Sequence, residues 1–239
     1  MLQEIKNNYT EQDHYVWTTL YIRTLQFLPE TADKTVLDGI KQLEYPADRI
    51  PDFSEINQKL KQFSDWQIVP MDDMVDDTRF ISMLAEKKYP CRNWLRTVDQ
   101  LEADIDEYDM FHDIIGHTPL LLIPAYSDYL TGLGKLAQEN INNKEAIVYL
   151  KKIYWHTIQF GLKLSEHSMK IYGAHFLSSR GETIYSLSAG VPKYDLNVPI
   201  IMDTAYIKGR YQDKYFVIEN YERLKESLTE IKEELSKRL

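Results

Sequence analysis

Hydrophobic residues along this chain recur mostly at helical intervals. They do so in residues 35–43, from 52 to about 63, in 78–87 and in 126–140, where apolar positions three and four apart form one face of an α-helix. A first helix is predicted to begin after Thr10, whose hydroxyl suits an N-cap. Its apolar face should start with Val16 and Leu20, pass Thr24 as an interruption, and broaden through Ile22, Leu25 and Leu28. Residues 66–69 predict a short strand.

The longest predicted helix spans residues 143–167. Near the end of the chain, steps of four, three and four separate Leu224, Leu228, Ile231 and Leu235. This is the spacing of a coiled-coil seam over about two heptads. A seam of that length is too short to define an oligomer, so we expect it to pack against its own domain and leave the oligomeric state open. The whole pattern predicts a mainly α fold with a few short strands.

Composition narrows the class of protein without identifying a reaction. The 239 residues fit one domain with a sizeable core. The formal charge of −9 argues against nucleic acid and anionic membranes as partners, because both attract clustered Lys and Arg. No apolar run approaches the ~20 residues of a membrane span, and the first residues show no signal-peptide core. The lone cysteine, Cys91, fits a reducing compartment, so we expect a cytoplasmic protein.

The candidate chemistry lies in residues 109–121, where His112 and His117 stand five residues apart. Two neutral imidazoles suit Fe(II) or Zn(II), although such pairs are also common as surface or capping residues. On an unbroken α-helix five residues turn the side chain by roughly 140°, so the pair would not share a face. Gly116 could end the helix in the left-handed conformation, with Pro119 preventing its resumption. A π-bulge could achieve the same convergence.

These residues carry a family resemblance. The motif Phe111-His-Asp-x-x-Gly-His-x-Pro-Leu-Leu121 resembles the iron-binding segment of the tetrahydropterin-dependent aromatic amino acid hydroxylases, specifically the short bacterial phenylalanine 4-hydroxylase type. Residues 154–162 and 172–182 resemble the second and third active-site segments of that family, and residues 9–17 and 215–221 resemble its opening and closing segments. The resemblance implies a single catalytic domain over residues 1–239, without an N-terminal regulatory domain. It also implies Fe(II) and tetrahydropterin as cofactors, with O2 and an aromatic amino acid as substrates.

The metal ligands that the resemblance implies are two histidines and one glutamate. His112 and His117 match the histidines, whereas Gln159 stands where the family has glutamate. A carboxylate lowers the charge of a Fe(II) site from +2 to +1, and a neutral amide oxygen does not. Gln159 could coordinate through its carbonyl, leave a position open, or hydrogen-bond a bound water.

Two further departures from the family pattern lie close to Gln159. His156 replaces an aromatic residue and His175 replaces a small residue, usually glycine. Each alone is more simply a hydrogen-bonding or pocket-lining residue. Together with the lost carboxylate they suggest that one of them, with His175 preferred, replaces or supports the third ligand. His175 is also expected to line the substrate pocket.

The substrate-binding residues implied by the resemblance are Arg96, Asp109, Trp155 and Ser178. Arg96 would hold the amino acid carboxylate through a guanidinium fork. Asp109 would orient Arg96, or alternatively cap the helix that carries His112. Ser178 would lie near the substrate carboxylate and the first histidine. Trp155 would line the pocket, or simply pack in the core.

The pterin-binding residues implied by the resemblance are Asp113 and Tyr154. A carboxylate at position 113 can accept hydrogen bonds from pterin nitrogens, directly or through water; otherwise Asp113 is a solvated helix residue. The family's Glu-Pro-Asp appears here as Glu107-Tyr108-Asp109. The lost proline, with the gained His175, suggests a reshaped pocket.

Three functions follow in order of preference. The first is a non-haem iron, tetrahydropterin-dependent monooxygenase that hydroxylates a phenylalanine-like amino acid. The second is a divergent enzyme of the family that has altered metal ligation and oxidises an unusual amino acid-derived substrate. The third is a non-catalytic protein that binds an amino acid or pterin.

Overall fold

The computed structural model describes residues 9–72, 76–101, 108–166 and 168–239. Glu107 and His167, which entered the sequence analysis, lie outside the described residues. Within these ranges the α-helices are α1 Glu11–Thr31, α2 Lys34–Leu43, α3 Phe53–Leu60, α4 Asp77–Ala85, α5 Pro124–Glu139, α6 Lys144–Tyr154, α7 Ala174–Ser178, α8 Arg180–Leu187, α9 Val198–Asp203 and α10 Tyr221–Arg238. The strands are β1 Gln67–Met71, β2 Lys88–Arg92, β3 Gly161–Ser165, β4 Ser168–Ile171, β5 Lys193–Asp195 and β6 Tyr215–Ile218. The predicted mainly α fold with a few short strands is confirmed.

Helix α1 confirms the predicted start and corrects the predicted face. Thr10 and Asp13 form a capping box, in which each side chain accepts from the other's backbone N–H. Val16, Leu20 and Leu28 are buried as expected. The expected inward position of Ile22 and Leu25 is wrong: these side chains are 48% and 39% exposed. With 3.6 residues per turn, the buried face of the helix includes Trp17, Tyr21 and Thr24 instead.

The helices predicted near residues 35–43, 52–63, 78–87 and 126–140 are α2, α3, α4 and α5, with ends displaced by a few residues. The strand predicted at 66–69 is β1, which pairs in parallel with β2. None of the described helices combines the length and the apolar character needed to cross a membrane.

The predicted helix over residues 143–167 is wrong beyond its first half. Helix α6 ends at Tyr154, a π-helical turn follows through Gln159, and strand β3 begins at Gly161. The residue at this change, Gly161, is tightly packed. A Cβ on Gly161 would lie 2.1 Å from the ring of Tyr172 and 2.3 Å from the carbonyl oxygen of Thr157. Only glycine permits that approach.

The strands after Gly161 form a four-stranded sheet in the order β4-β3-β6-β5. Strand β3 is antiparallel to β4 and parallel to β6, with Gly161 opposite Phe216, and β5 is parallel to β6. The sheet joins the π-helical turn that ends at Gln159 to α7, because the N–H groups of Tyr172 and Gly173 both donate to the carbonyl of Gly161. It thereby brings the second and third predicted active-site segments together.

The C-terminal helix α10 packs on α5 of the same chain. Leu224, Ile231 and Leu235 are buried, and Leu228 lies so close to Gly132 that a Cβ there would meet its Cδ1 at 2.3 Å. The predicted packing of this seam against its own domain is confirmed.

Candidate active site

The two histidines lie in a π-helical turn, His112–His117, that is buried throughout. The expectation that Gly116 ends a helix in the left-handed conformation is wrong, because Gly116 does not have a positive φ. Among the described residues, the glycine with a positive φ is Gly209. The alternative of a π-bulge is confirmed. A π-turn hydrogen-bonds residues five apart, so it brings positions 112 and 117 toward one side. Their ring centroids are 5.2 Å apart with planes at 81°.

Gly116 is needed for close packing. A Cβ at this position would lie 2.7 Å from the carbonyl oxygen of Ala174 and 3.1 Å from its Cβ. The π-turn can therefore lie directly against α7, which carries His175 and Ser178.

We expect the substitution Gly116→Ala to lower the free energy of unfolding by about 1–3 kcal/mol, because the added methyl group meets backbone rather than a movable side chain. Urea unfolding followed by circular dichroism measures the change. Gly190→Ala is the matched control, since a Cβ at Gly190 meets nothing within 4 Å. Equal stability of the two variants would contradict the packing role of Gly116.

The hydrogen bonds of His112 define its tautomer. Its Nδ1 lies 2.9 Å from Ser178 Oγ, and that hydroxyl donates to the carbonyl of His175 at 3.1 Å. The Nδ1–H of His112 therefore donates to Ser178, which leaves a lone pair on Nε2. Nε2 is buried and has no hydrogen-bond partner. Burial, and next the neighbouring His117, lower the pKa of His112 well below its usual value, so the ring is a neutral donor.

Gln159 meets His117 from the second π-turn, Trp155–Gln159. The side-chain nitrogen of Gln159 lies 3.3 Å from His117 Nε2. Burial lowers the pKa of His117 to about 3, so this imidazole is also neutral. His117 Nδ1 and Gln159 Oε1 are buried and lack hydrogen-bond partners.

Three buried polar atoms of the site, on His112, His117 and Gln159, are thus unsatisfied. Leaving such atoms unpaired costs about 1–3 kcal/mol each. Of these, His112 Nε2 and Gln159 Oε1 can donate a lone pair to a metal, and His117 can do so through Nε2, which faces the Gln159 amide. Two neutral imidazoles and one amide oxygen are a donor set that suits a borderline divalent metal. The residues present fit Fe(II), with one neutral oxygen donor where a carboxylate was expected from the family pattern.

Asp113 adds a buried carboxylate beside the histidines. One donor atom each from His112, Asp113 and His117 lie within 4.8 Å of one another. However, both oxygens of Asp113 accept from Arg92 Nη1, at 2.8 and 2.9 Å, and Oδ2 also accepts from the Arg92 backbone N–H at 2.8 Å. Burial raises the pKa of Asp113 to about 6, although pairing with Arg92 opposes this. The alternative of a solvated surface residue is wrong, since Asp113 is 1% exposed.

Arg96 and Asp109 form a buried ion pair, with Arg96 Nε 2.7 Å from Asp109 Oδ2. Asp109 Oδ1 also accepts from the backbone N–H of His112 at 3.1 Å. Both expected roles of Asp109 are therefore present in one side chain: it orients Arg96 and caps the turn that carries His112.

Each histidine of the pair is covered by a tyrosine. The ring of Tyr89 stacks on His117 with centroids 4.4 Å apart, and Tyr108 stacks on His112 at 3.7 Å with the planes 8° apart. Tyr89 and Arg92 were not predicted from the sequence, and Tyr108 was noted there only as the residue that replaces a proline. No spacing relates these residues to the histidine motif.

His175 and His156 do not join the donor cluster of His112, Asp113 and His117 in the part of the chain that is described. His175 Nδ1 lies 3.1 Å from the Tyr108 hydroxyl, and Nε2 lies 2.9 Å from Glu182 Oε2. Both ring nitrogens are therefore engaged by Tyr108 and Glu182 rather than by His112 or His117. This corrects the expectation that His175 supplies the third ligand.

His156 is buried with its ring edge-on to Phe216 at 5.4 Å. It borders a cavity with Thr204 and Gln212 rather than with Gln159. Its position gives no support to the alternative that it replaces the third ligand.

The aromatic residues of the second segment lie around the turn. Trp155 stacks on Tyr206 at 4.5 Å and lies 6.3 Å from the ring of Tyr108. Tyr154 packs edge-on against Phe80 at 5.5 Å. Its hydroxyl is buried near Tyr89 and Gln159, and burial raises its pKa above the usual value.

Comparison with known proteins agrees with this architecture. A sequence profile described as biopterin-dependent aromatic amino acid hydroxylase matches residues 3–239. The phenylalanine-4-hydroxylase of Chromobacterium violaceum is 38% identical over 219 residues, which are 91% of this chain and 73% of that protein. The phenylalanine-4-hydroxylase of Ralstonia nicotianae is 36% identical over 226 residues, which are 93% of this chain and 71% of that protein.

Solved structures give the same result. The crystal structure of phenylalanine hydroxylase from Chromobacterium violaceum bound to cobalt matches with a TM-score of 0.90 at 36% identity, over 95% of this chain and 83% of that one. The chain therefore belongs to the family of biopterin-dependent aromatic amino acid hydroxylases.

Proposed function

We propose that this protein is an Fe(II)- and tetrahydropterin-dependent monooxygenase that hydroxylates a phenylalanine-like amino acid. The observation that supports this most directly is the buried pair of imidazoles, since one donor atom of His112 and one of His117 lie within 4.8 Å of each other. His112 Nε2 has no hydrogen-bond partner, and Gln159 stands beside His117 Nε2. These residues stand at the metal-binding positions of a chain whose relatives are named phenylalanine-4-hydroxylase. When bound, iron and tetrahydropterin supply the O2 activation that protein side chains lack.

His112 and His117 would hold the metal, with Gln159 beside them as an oxygen donor. Ser178 fixes the tautomer of His112, since it accepts from Nδ1–H and keeps Nε2 unprotonated. Such a partner orients a metal-binding imidazole and raises its basicity. The stacked ring of Tyr108 limits rotation of His112.

Arg96 would bind the carboxylate of the amino acid. Asp109 uses the Nε and one terminal nitrogen of Arg96, so the remaining N–H groups of the guanidinium stay available for a second carboxylate. Trp155 supplies an aromatic surface for the substrate side chain, and Ser178 would lie near the substrate.

Asp113 and Tyr154 would face the pterin. The bonds from Arg92 occupy about three of the four acceptor positions of the Asp113 carboxylate. One position stays open to a pterin N–H, directly or through water. The buried Tyr154 hydroxyl, near Tyr89 and Gln159, would offer a second polar contact.

Two broader proposals accompany this function. Residues 1–239 would form a single catalytic domain, supported by one continuous hydrophobic core. The protein would work in the cytoplasm, supported by its free, buried Cys91.

The test is oxidation of tetrahydropterin under O2 by the Fe(II)-loaded protein, with a panel of aromatic amino acids and product masses recorded. Amino acid-dependent turnover with one added oxygen is expected. A folded, iron-bound protein that oxidises neither pterin nor any amino acid would overturn the proposal, and would favour the non-catalytic binding role that the comparisons do not support.

One alternative has an observation of its own. Gln159, together with the contact between Tyr108 and His175, gives this site a ligand set and a pocket wall that differ from the family pattern. A divergent oxidation of an unusual amino acid-derived substrate would fit these differences. The same assay separates the two, because that alternative predicts little turnover of phenylalanine.

A further inference from the structure

Three side chains at the edge of the site are joined in one hydrogen-bonded line, here named the polar triad: Tyr108, His175 and Glu182. Tyr108 Oη lies 3.1 Å from His175 Nδ1, and His175 Nε2 lies 2.9 Å from Glu182 Oε2. Two of the three, Tyr108 and His175, are departures from the family pattern. The structure shows that these two departures contact each other, so they act as one feature.

Glu182 fixes the orientation of the triad. This carboxylate is 2% exposed and accepts from the Tyr215 hydroxyl at 2.7 Å and from the Gln212 backbone N–H at 3.0 Å. A buried carboxylate with these donors is a rigid, satisfied acceptor, so the proton of a neutral His175 belongs on Nε2. Nδ1 then accepts from the Tyr108 hydroxyl, and Tyr108 Oη keeps acceptor lone pairs only.

The triad lies directly beside the proposed metal ligand His112. Tyr108 covers one face of His112, with centroids 3.7 Å apart. Aromatic surfaces surround the polar groups: Phe160 lies 4.6 Å from His175, and Trp155 lies 6.3 Å from Tyr108. The triad is therefore bordered by aromatic rings and presents an oriented hydrogen-bond acceptor, Tyr108 Oη, among them.

We propose that the polar triad selects the substrate ring: the site favours an aromatic amino acid whose ring carries a hydrogen-bond donor, such as a hydroxyl or amino group, over the bare ring of phenylalanine. This inference rests on the proposed function, because it places the substrate beside the proposed metal ligands. A bare ring leaves the oriented acceptor of Tyr108 unpaired, and sites built for a hydrogen bond discriminate strongly against analogues that lack the donor.

The test compares two ligands of similar size, para-amino-L-phenylalanine and para-methyl-L-phenylalanine. Their binding to Fe(II)-loaded protein is measured by calorimetry without pterin or O2. Wild-type protein is expected to bind the amino compound at least about tenfold more tightly, which is about 1.4 kcal/mol. Tyr108→Phe keeps the ring and removes the acceptor, so the ratio should fall to near one.

A second variant and a control complete the design. His175→Leu removes the fixed partner of the Tyr108 hydroxyl and should also lower the ratio. Tyr194→Phe, at a tyrosine that is 48% exposed, should leave the ratio unchanged. A wild-type ratio near one, or an unchanged ratio in Tyr108→Phe, overturns the inference even if the enzyme hydroxylates amino acids. Selective binding without any product would instead overturn the proposed function and leave the selection by Tyr108 intact.

Discussion

Replacing His117 with alanine is expected to lower Fe(II) affinity by more than about a hundredfold and to abolish hydroxylation. Substitution of groups that only support a metal ligand typically costs ten- to a hundredfold, and His117 would be a ligand itself. Without it, His112 and the weak amide donor of Gln159 remain. Fe(II) affinity is measured by competition with a chromogenic chelator under argon.

Two other buried or half-buried histidines serve as matched controls. His156 lies on the second π-turn but faces Phe216, and His175 is bound by Tyr108 and Glu182. His156→Ala and His175→Ala should therefore keep Fe(II) affinity within a fewfold of the wild type. Circular dichroism establishes that each variant is folded. Wild-type affinity in His117→Ala would overturn the proposed metal site, and a large loss in either control would restore that histidine as a ligand.

Local patterns in the sequence were sufficient for much of the fold. The repeat of apolar residues located helices α2 to α5 within a few residues, because each of these helices buries one face and its spacing is set locally. The pair His112 and His117 was found for the same reason, since both residues fall in one short segment. The capping box at Thr10 also needs only neighbours in sequence.

The errors arose where distant segments decide the structure. The helix predicted over 143–167 gives way to strand β3, whose pairing with β4 and β6 no local period reports, and Gly161 at its start lies against Tyr172. Position 116 carries glycine because α7 approaches it, rather than because the backbone is left-handed there. In both cases the sequence shows a glycine. Only the fold shows whether the glycine is there for its backbone conformation or for the close approach that its missing Cβ allows.

The surroundings of the site were the least predictable part. Arg92 reaches Asp113 from β2, Tyr89 covers His117 from the same strand, and Glu182 holds His175 from α8. These partners have no fixed spacing to the residues that they contact. The departures at Tyr108 and His175 were visible in the sequence, but their hydrogen bond to each other required the packing of α7 on the π-turn.

Replacing Gln159 with glutamate is expected to raise Fe(II) affinity by at least about tenfold at about pH 7.5, or about 1.4 kcal/mol. The new carboxylate would neutralise one charge of the dication, whereas the amide neutralises none. Two effects reduce the gain. Burial disfavours the ionised carboxylate in the metal-free protein, and removing it from water carries a cost that the metal must offset. Because metal binding must then displace a proton, the gain should grow as the pH rises.

The variant Gln159→Leu, which has similar size and no donor, separates the roles that the sequence left open. If Gln159 coordinates through Oε1, Gln159→Leu loses Fe(II) affinity and Gln159→Glu gains it. If the amide only holds a bound water or leaves a position open, Gln159→Leu keeps wild-type affinity while Gln159→Glu still gains. A glutamate that produces no gain would contradict the structure's placement of position 159 beside His117 Nε2. The outcome decides whether the amide of Gln159 coordinates the metal or leaves one coordination position open to water or substrate.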